Sequence, residues 1–465
     1  MSSVGPLAAS FRDPSGFVYR DATGVLLRQV NPVYEAPYRQ LMDSGLYDVL
    51  TGEGLLIRHT EMSVERAHTP EAVYVLEPEP VPFISYPYEW CAAQLRDAAL
   101  LTLRIQLRAL EHGMSLKDAS AYNVQFRGAK PVFIDTLSFE AYEEGKAWIA
   151  YGQFCRHFLA PLALMYYVDP AMGRLARGFI DGLPSPMTSR ALPLRSRLKF
   201  GLLIHLHFQA RLEQKRVEKT EGEADVVAHA RRVSKQGLLG IVDSLEGTVR
   251  ALGGARGKTT WGDYYAHTNY SAASADAKAR LVRDYLGQAN PATVWDLGAN
   301  TGVYSAIAAA LGAHCVAFDF DHGAVSALYE NERTHPQGLL PLLLDLTNPS
   351  PGLGWAHQER DSFLGRGPVD CAMALALIHH LCIGNNVPLE QVATFFASLC
   401  RYLIVEFVPK EDSMVQRMLS VREDVFSHYG IEQFRAAFST CFTVMAESAV
   451  EESHRTLFLM KNNTL

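Results

Sequence analysis

Apolar runs alternate with amphipathic stretches through the second half of the chain. Five apolar runs begin near residues 294, 314, 339, 369 and 402. Between them, helical periodicity predicts helices at 322–334, 387–400 and 412–425. Two last runs, 441–449 and 454–460, predict an antiparallel hairpin. Strands that alternate with helices form a mostly parallel sheet covered on both faces, so the pattern predicts an α/β, doubly wound domain.

The first three of these predicted strands each end in an acid. The acids are Asp296, Asp319 and Asp345, and the first is followed by Gly298 and Gly302. Glycines at such a turn let the backbone approach a ligand, and a helix starting near residue 303 directs its positive end to the same place. The spacing does not match the phosphate loop of nucleotide triphosphatases. An acid at the strand end suits a positively charged ligand.

The stretch 294–302 reads Val-Trp-Asp-Leu-Gly-Ala-Asn-Thr-Gly, and its pattern D-x-G-x-x-x-G resembles motif I of the class I S-adenosylmethionine (SAM) methyltransferases. The resemblance implies a Rossmann-like, seven-stranded sheet over residues 258–465 and SAM as the cofactor. It also implies a role for each residue that matches the family pattern. The loop with Gly298, Asn300 and Gly302 would hold the amino-acid end of SAM, Asp319 the ribose and Asp345 the adenine. The alternative for motif I alone is an ordinary strand–turn–helix, and Asp321 is a second candidate beside Asp319.

Two histidines and a glutamate are the catalytic candidates. His379 and His380 follow the fourth predicted strand, and Glu406 ends the fifth. A hydroxyl acceptor benefits from a base, and imidazole titrates near neutrality. Glu406 would position a substrate or a histidine. The alternative is that the histidines are capping or core residues.

The absence of one sequence motif limits the chemical class of the methyl acceptor. The (Asp/Asn)-Pro-Pro-(Tyr/Phe) tetrapeptide of many amino-group methyltransferases is replaced after the fourth strand by residues 378–381, Ile-His-His-Leu. This favours a hydroxyl, or else an amine, of a small molecule as the substrate. Residues 374–381 and 405–412 also resemble a NoeA-like group of bacterial methyltransferases.

Tyr264 and its aromatic neighbours are candidates for a lid over the cofactor, or for a packing seam.

The first half predicts an α+β domain. Residues 16–30 alternate like a hairpin around Asp-Ala-Thr-Gly, and residues 32–50 look helical and then strand-like. A long amphipathic helix is predicted at 92–112. Short strands are predicted at 54–58, 72–77, 123–127 and 131–134.

The spacing Asp118-x-x-x-x-Asn123, with Asp135 after an apolar strand, resembles the catalytic core of protein kinases and small-molecule kinases. The resemblance implies that Asn123 and Asp135 hold the magnesium ions of a nucleotide and that Asp118 orients a hydroxyl. No lysine precedes Lys117, however, and Arg28 is not an equivalent replacement. We therefore predict a degenerate kinase-like domain at 1–185 that binds the substrate or a partner. An unrelated domain with a chance spacing, and a phosphotransferase or ATP-binding regulatory protein with an accessory SAM-binding domain, are the alternatives.

Residues 186–257 form a predicted helical linker. Basic residues punctuate an apolar stripe near 195–219, which predicts a helix with one buried and one basic face. The basic face is either solvated or meets an acidic partner.

Composition and charge limit the partners. The chain has 465 residues and a net charge of −7, which argues against nucleic-acid binding. Its seven cysteines form no C-x-x-C pair, and no metal-ligand spacing is visible, so reduced thiols and no metal are predicted. The first residues lack a signal-peptide pattern, and the apolar stretch near 158–168 is too short to cross a bilayer. We expect a cytoplasmic protein with a small-molecule substrate and no membrane partner; the oligomeric state stays open.

Overall fold

The computed structural model describes residues 5–217, 232–253, 272–420 and 424–465. The chain divides into two compact units. The first comprises residues 1–256 together with 352–360, and the second comprises 257–351 and 361–465. The division after residue 256 falls close to the predicted start of the C-terminal domain at 258. The segment 352–360 joins the first unit although the chain has already entered the second, which the sequence pattern did not indicate.

A five-stranded antiparallel sheet opens the first unit, in the order β1-β2-β3-β5-β4. Its strands are β1 Gly5–Pro6, β2 Gly16–Arg20, β3 Leu26–Val30, β4 His59–Met62 and β5 Tyr74–Pro78. The predicted hairpin at 16–30 is confirmed by the pairing of β2 with β3. Two helices connect β3 with β4, namely α1 Glu35–Asp43 and α2 Leu46–Gly52.

Two sequence predictions in this region were wrong. The apolar residues near 46–50 lie in α2 and not in a strand, because Leu46 and Leu50 are one helical turn apart and are both buried. The predicted strand at 54–58 begins instead at 59. Residues 55–57 are extended, but they bond to Phe133 outside the five-stranded sheet.

The long helix α3 Ala92–Glu111 follows, and then two small sheets. In the first, β6 Met114–Leu116 pairs with β9 Phe139–Ala141; in the second, β7 Val124–Arg127 pairs with β8 Lys130–Phe133. The loop between β6 and β7 and the loop after β8 carry the candidate residues of this unit.

Helices complete the first unit. They are α4 Tyr151–Phe154, α5 Ala160–Tyr167, α6 Ser185–Ala191, α7 Phe200–Leu202, α8 Gln209–Val217 and α9 Lys235–Ala251, with π-helical turns at Cys155–Leu159 and Leu203–Phe208. The described part of 186–257 thus belongs to the first unit and is not a separate linker. Its predicted basic helix near 195–219 is interrupted at Lys199, whose φ of −94° and ψ of 111° separate the 3₁₀ turn Leu194–Leu198 from α7.

The second unit contains a seven-stranded sheet in the order β12-β11-β10-β13-β14-β16-β15. The first five of these are parallel, and β16 is antiparallel to both β14 and β15. The strands are β10 Thr293–Leu297, β11 His314–Asp319, β12 Leu340–Leu343, β13 Val369–Ala374, β14 Cys400–Phe407, β15 Phe442–Ala449 and β16 Thr456–Asn462. The predicted α/β class and closing hairpin are therefore present.

The helices of this unit are α10 Ala272–Ala289, α11 Val303–Ala310, α12 His322–Thr334, α13 Leu389–Leu399, α14 Ser413–Leu419 and α15 Ile431–Ser439. The prediction of a helix through 425 was too long, since α14 ends at residue 419. Among the residues that the structure describes, no helix has both the length and the apolar character that a membrane crossing requires.

Candidate functional site

The loop after β10 has three residues in the left-handed backbone region, which favours glycine. Gly298, Asn300 and Gly302 all have positive φ, at +83°, +51° and +81°. The amides of Gly298 and Ala299 donate to the carbonyl oxygen of Phe318, at 2.8 and 2.9 Å, which fixes the loop to the end of β11. A Cβ at residue 302 would lie 2.6 Å from Leu328 Cδ1. The loop therefore requires glycine both for its dihedral angles and for its close packing.

Asp319 connects this loop to the end of β11. Its carboxylate accepts the Asn300 amide and the Asp321 amide, each at 2.8 Å. Burial raises the pKa of the Asp319 carboxyl, and the backbone hydrogen bonds oppose this rise. Asp321 instead caps α12 by accepting two backbone amides. The geometry therefore favours Asp319 over Asp321 as the ligand-binding acid.

Asp296 is buried beneath the loop, with 2% of its surface exposed. The Ser305 hydroxyl donates to Asp296 Oδ2 at 2.6 Å. Burial raises the pKa of the Asp296 carboxyl to about 6, although Ser305 and the nearby Lys278 ammonium act in the opposite direction. A buried carboxyl with such a pKa becomes an anion readily when a cation is placed beside it.

Asp345 lies two residues after the end of β12, where its carboxylate stabilises a turn. Asp345 Oδ1 accepts the Thr347 amide at 3.0 Å and the Thr347 hydroxyl at 2.6 Å. Since β12, β11 and β10 are neighbouring parallel strands, the three acids at or just beyond their carboxyl ends belong to the same edge of the sheet. The structure thus brings together the predicted residues Asp296, Asp319 and Asp345.

A buried ionic network was not predicted from the sequence. Lys278 Nζ in α10 donates to Glu406 Oε2 in β14 at 2.7 Å, and neither side chain is more than 3% exposed. Arg455 lies 3.7 Å from Glu406 Oε1 and donates through Nε to Asp412 at 2.7 Å. Burial lowers the pKa of the Lys278 ammonium, which Glu406 partly offsets.

This network adds to the picture of Glu406. The sequence predicted that Glu406 positions a substrate or a histidine, and the structure pairs it with two buried cations. The local signal was available in part, because an acid at the end of a buried apolar strand must be paired. Its partners lie 128 and 49 residues away in the sequence, and no periodic pattern reveals such pairing.

The adjacent histidines lie at the start of the π-helical turn His380–Gly384, after β13. His379 is 1% exposed, its ring centroid is 4.2 Å from that of His380, and its Nδ1 has no hydrogen-bond partner among the described residues. Burial lowers the pKa of His379 far below its usual value, and the charges of Arg455 and Lys278 act in the same direction. The pKa of His380 is also lowered by burial.

The prediction that these imidazoles titrate near neutrality was therefore wrong for His379. An imidazole whose pKa is lowered in this way can still accept a hydrogen bond, but it is a weaker base than a free histidine. The remaining candidate of the second unit, Tyr264, lies outside the described residues.

A second cluster lies within the first unit, where the structure brings Asp118, Asn123 and Asp135 together. Asn123 Nδ2 donates to the Ser138 hydroxyl at 3.2 Å, and that hydroxyl donates to Asp135 Oδ2 at 2.5 Å. Burial raises the pKa of Asp118, and the charge of Asp135 raises it further. The two carboxylates are therefore close enough to influence each other.

The cations of this cluster are Arg28 and Lys117. Arg28, on β3, lies 2.6 Å from Asp135 Oδ1, and both side chains are largely buried. Lys117 Nζ donates to the Ser15 hydroxyl at 2.7 Å and lies 4.5 Å from the centre of the Tyr34 ring. Arg28 thus provides a cation beside Asp135, although no lysine precedes Lys117 in the sequence.

Neither cluster contains an evident metal centre. Over the described ranges, no group of three or more His, Cys, Asp or Glu side chains has an arrangement suited to a metal ion. All seven cysteines are free thiols, and six are buried.

A comparison with known proteins identifies the family. No family model matches the chain. The nodulation protein NoeA of Rhizobium meliloti (strain 1021) is 36% identical over 468 residues, covering 99% of this chain and 96% of that protein. The chain belongs to the NoeA family. The matched region, 99% of the chain, extends over both units of this NoeA-family chain.

Solved structures overlap only part of the NoeA-family chain. The bifunctional kinase-methyltransferase WbdD is 18% identical to this chain. The match covers 41% of this chain and 40% of the WbdD chain, with a TM-score of 0.28. Magnesium protoporphyrin IX methyltransferase from Synechocystis PCC 6803, solved with bound SAH, is 16% identical and covers 46% of this chain and 91% of its own, with a TM-score of 0.30. Overlaps of this extent carry no argument about the activity of a NoeA-family protein.

Proposed function

We propose that the second unit is a SAM-dependent methyltransferase acting on a hydroxyl, or an amine, of a small molecule. The observation that carries the proposal is the common edge of β12, β11 and β10, where Asp345, Asp319 and Asp296 lie at or just beyond the carboxyl ends of three adjacent parallel strands. In doubly wound sheets, ligands bind outside the carboxyl ends of the strands, at the point where the strand order reverses. That reversal occurs here at β10, which lies between β11 and β13.

The residues at this edge fit SAM. The positive φ angles from Gly298 to Gly302 bring bare backbone to the edge, which an extended ligand requires. Each Asp319 oxygen accepts one amide, and a carboxylate oxygen has two lone pairs, so the carboxylate can also accept ribose hydroxyls. Asp345 would contact the adenine and Asp296 the cationic end. When bound, SAM would supply a methyl group on a sulfonium sulfur, which leaves readily as a neutral sulfide.

The chain's own residues would then bind, orient and exclude water. Methyl transfer depends mainly on alignment of the acceptor, so rigid neighbours are needed more than a strong base. The Lys278–Glu406–Arg455 network fixes α10 and β14 behind the edge. His379 and His380, with lowered pKa, are neutral at pH 7, and His379 Nδ1 is suited to accept a hydrogen bond from the acceptor hydroxyl.

Calorimetry on the full chain tests the cofactor assignment. We expect SAM to bind in the micromolar range, which corresponds to about 8 kcal/mol. Asp296→Ala should lose most of this affinity. Asp370→Asn is the matched control, because Asp370 lies near the amino end of β13 and bonds to Thr293 at 3.0 Å. A wild-type chain that binds no SAM would refute the proposal. Radiolabelled SAM with small-molecule extracts would then identify the acceptor.

For the first unit we propose binding of the acceptor or a partner without phosphotransfer. Three features support a kinase-like arrangement. They are the strand order β1-β2-β3-β5-β4, the helices between β3 and β4, and the loop that carries Asp118 and Asn123. The buried pairing of Asp135 with Arg28 supports the loss of phosphotransfer, because this carboxylate would otherwise hold a metal ion.

Two measurements separate binding from phosphotransfer. We expect Asp118→Asn to raise the KM for the acceptor and to leave kcat nearly unchanged. ATP consumption by the wild-type chain, abolished by Asp135→Ala, would instead support the alternative of a kinase-like phosphotransferase with an accessory SAM-binding unit.

A further inference from the structure

Large apolar side chains are concentrated on one surface segment of the first unit, residues 194–211. Leu194, Leu198 and Phe200 are 74%, 85% and 74% exposed. Leu203, Ile204 and Phe208 follow within the same segment and are also exposed. The other exposed large apolar side chains of the described residues are spread over the chain. A contiguous apolar surface on a folded protein commonly marks an interaction site.

Helical geometry places four of these side chains on one stripe. Phe200, Leu203, Ile204 and Phe208 lie along the continuous helical run from α7 through the π-helical turn to α8. Their spacing of three and four residues is that of one helix face. The sequence predicted that the apolar face of this region is buried and that the basic face is exposed. The structure buries Leu202, Leu206 and Ala210 as that prediction requires, but it also leaves a second apolar face exposed beside the basic side chains.

Hydrogen bonds on the opposite face fix the orientation of the stripe. His205 is buried and bonds to the hydroxyls of Tyr151 and Ser244, each at 2.9 Å. His207 is also buried and bonds to the hydroxyls of Ser189 and Ser196, at 2.8 and 2.9 Å. Rotating the helix to bury the apolar stripe would break these four contacts. The exposure of the stripe is therefore built into the fold.

The charge of the segment is opposite to that of the chain. No Asp or Glu occurs from residue 182 to residue 212, whereas the whole chain carries a net charge of −7. Arg195, Arg197, Lys199 and Arg211 are exposed in this interval. Arg195 bonds to the Tyr167 carbonyl oxygen at 3.3 Å. For Arg197, Lys199 and Arg211, no acidic partner occurs among the described residues, so their charges are available to an external anion.

A cleft of about 310 Å³ opens beside the stripe. Lys199 and Phe200 line it together with Tyr166, Ser244 and Thr248. Because Lys199 and Phe200 belong both to the cleft and to the segment, a surface that meets the stripe also meets the cleft. The combination of an ammonium group, hydroxyls and an aromatic ring suits the boundary between a charged headgroup layer and hydrocarbon.

The combination of side chains identifies the class of partner. Nucleic-acid surfaces attract the basic residues but provide no environment for exposed Leu and Ile side chains. Anionic lipid bilayers satisfy both requirements, since basic groups meet the headgroups and apolar side chains enter the acyl boundary. An acidic protein with an apolar groove would also do so, and it is an outcome of the test below. We propose that residues 194–211 dock the protein onto membranes that contain anionic lipids.

Such docking is peripheral and needs no spanning helix. It departs from the expectation, based on the lack of a long apolar stretch, that the protein has no membrane partner. The net charge of −7 for the whole chain conceals a local stretch with five basic and no acidic residues between residues 182 and 212.

Vesicle flotation with the full chain tests the proposal. We expect flotation with vesicles of phosphatidylcholine mixed with phosphatidylglycerol, little flotation with phosphatidylcholine alone, and weaker binding as salt is raised. The double variant Leu198→Gln/Phe200→Gln should reduce the bound fraction at least about tenfold, because both side chains enter the acyl boundary. Arg197→Gln/Lys199→Gln should remove the preference for anionic vesicles.

Ile149→Gln provides the matched control, since Ile149 is 68% exposed and lies outside the segment. It should float like the wild type. All four substituted residues of the segment are exposed, so unchanged circular dichroism melting curves are expected. Three results would each overturn the proposal. The wild-type chain does not bind anionic vesicles, the double variants bind vesicles as well as the control does, or the chain binds a purified acidic protein instead of vesicles.

Discussion

Lys278 Nζ lies 2.7 Å from Glu406 Oε2, and the exposed fractions of the two side chains are only 3% and 0%. The pair joins α10 to β14, the parallel strand that borders the antiparallel hairpin, across 128 residues of sequence. Charges this deeply buried are costly unless they remain paired. The contact therefore holds the helix preceding motif I against the strand that follows the histidines.

Loss of one partner of this pair should strongly destabilise the second unit. We expect Glu406→Gln to cost about 3–5 kcal/mol of unfolding free energy, because the buried Lys278 ammonium loses its anion. Asp424→Asn removes the anion of the exposed Lys410–Asp424 pair, 2.8 Å apart, and should change the unfolding free energy little, because water screens this pair. Urea unfolding followed by fluorescence measures both. Equal costs for the two variants would show that burial of Glu406 does not matter.

The raised pKa of Asp296 predicts a pH effect on stability. In the folded state the pKa is about 6, whereas the ordinary value is 3.8. Between these values the folded state binds a proton that the unfolded state lacks. The stability gained from the protonated carboxyl is thus fully present below the lower value and is lost as pH rises through about 6. Asp296→Asn should remove this decline, as measured by urea unfolding at a series of pH values.

The same carboxyl predicts a pH effect on ligand choice. A sulfonium cation stabilises ionised Asp296, whereas the neutral sulfide of the demethylated product does so less. We therefore expect the affinity for SAM to rise, relative to its product, as pH increases through about 6. Calorimetry in buffers of different ionisation enthalpy should detect a proton released on SAM binding. Identical pH profiles for SAM and its product would contradict the assignment of Asp296 to the cationic end.

Removal of Arg28 should destabilise the first unit locally. Arg28 lies 2.6 Å from Asp135, and the exposed fractions of the two side chains are 12% and 14%. Arg28→Met leaves Asp135 close to Asp118, whose pKa is already raised, so we expect a loss of about 3–5 kcal/mol. Hydrogen exchange of residues 114–141 would measure the local opening. Arg127→Met, which breaks the exposed pair with Glu79, should change it little.

Sequence patterns predicted those parts of the site that depend on local order. The strands that end in Asp296 and Asp319 were found because each is an apolar run followed by a turn. Asp118, Asn123 and Asp135 were found through their spacing. The ionic partners of Glu406 were missed because pairing across the fold leaves no periodic signal. The pKa of His379 was misjudged because burial, which sets it, depends on side chains from several elements.

The prediction of helix boundaries succeeded where local sequence determines them, whereas the prediction of side-chain exposure failed where the whole fold determines it. The helix at 322–334 was predicted to the residue, since Asp321 is a strong N-cap. The apolar stripe near 195–219 was expected to be buried as a whole, because apolar residues at helical spacing usually are, but Phe200 and Phe208 are exposed. The hydrogen bonds of His205 and His207 fix which face is buried, and they depend on serines and a tyrosine from other elements.

Alanine at position 302 should disrupt the motif I loop. Gly302 has φ +81°, and a new Cβ would lie 2.6 Å from Leu328 Cδ1. The left-handed backbone costs about 1–2 kcal/mol with a Cβ, and overpacking adds about 1–3 kcal/mol. Gly312→Ala is the matched control, because Gly312 has φ +92° and no atom within 4 Å of its Cβ position. Both variants should lose stability in urea unfolding, but only Gly302→Ala should also lose SAM affinity by calorimetry. A Gly312→Ala chain that loses SAM affinity equally would show that the effect is global and would remove the loop from the binding site.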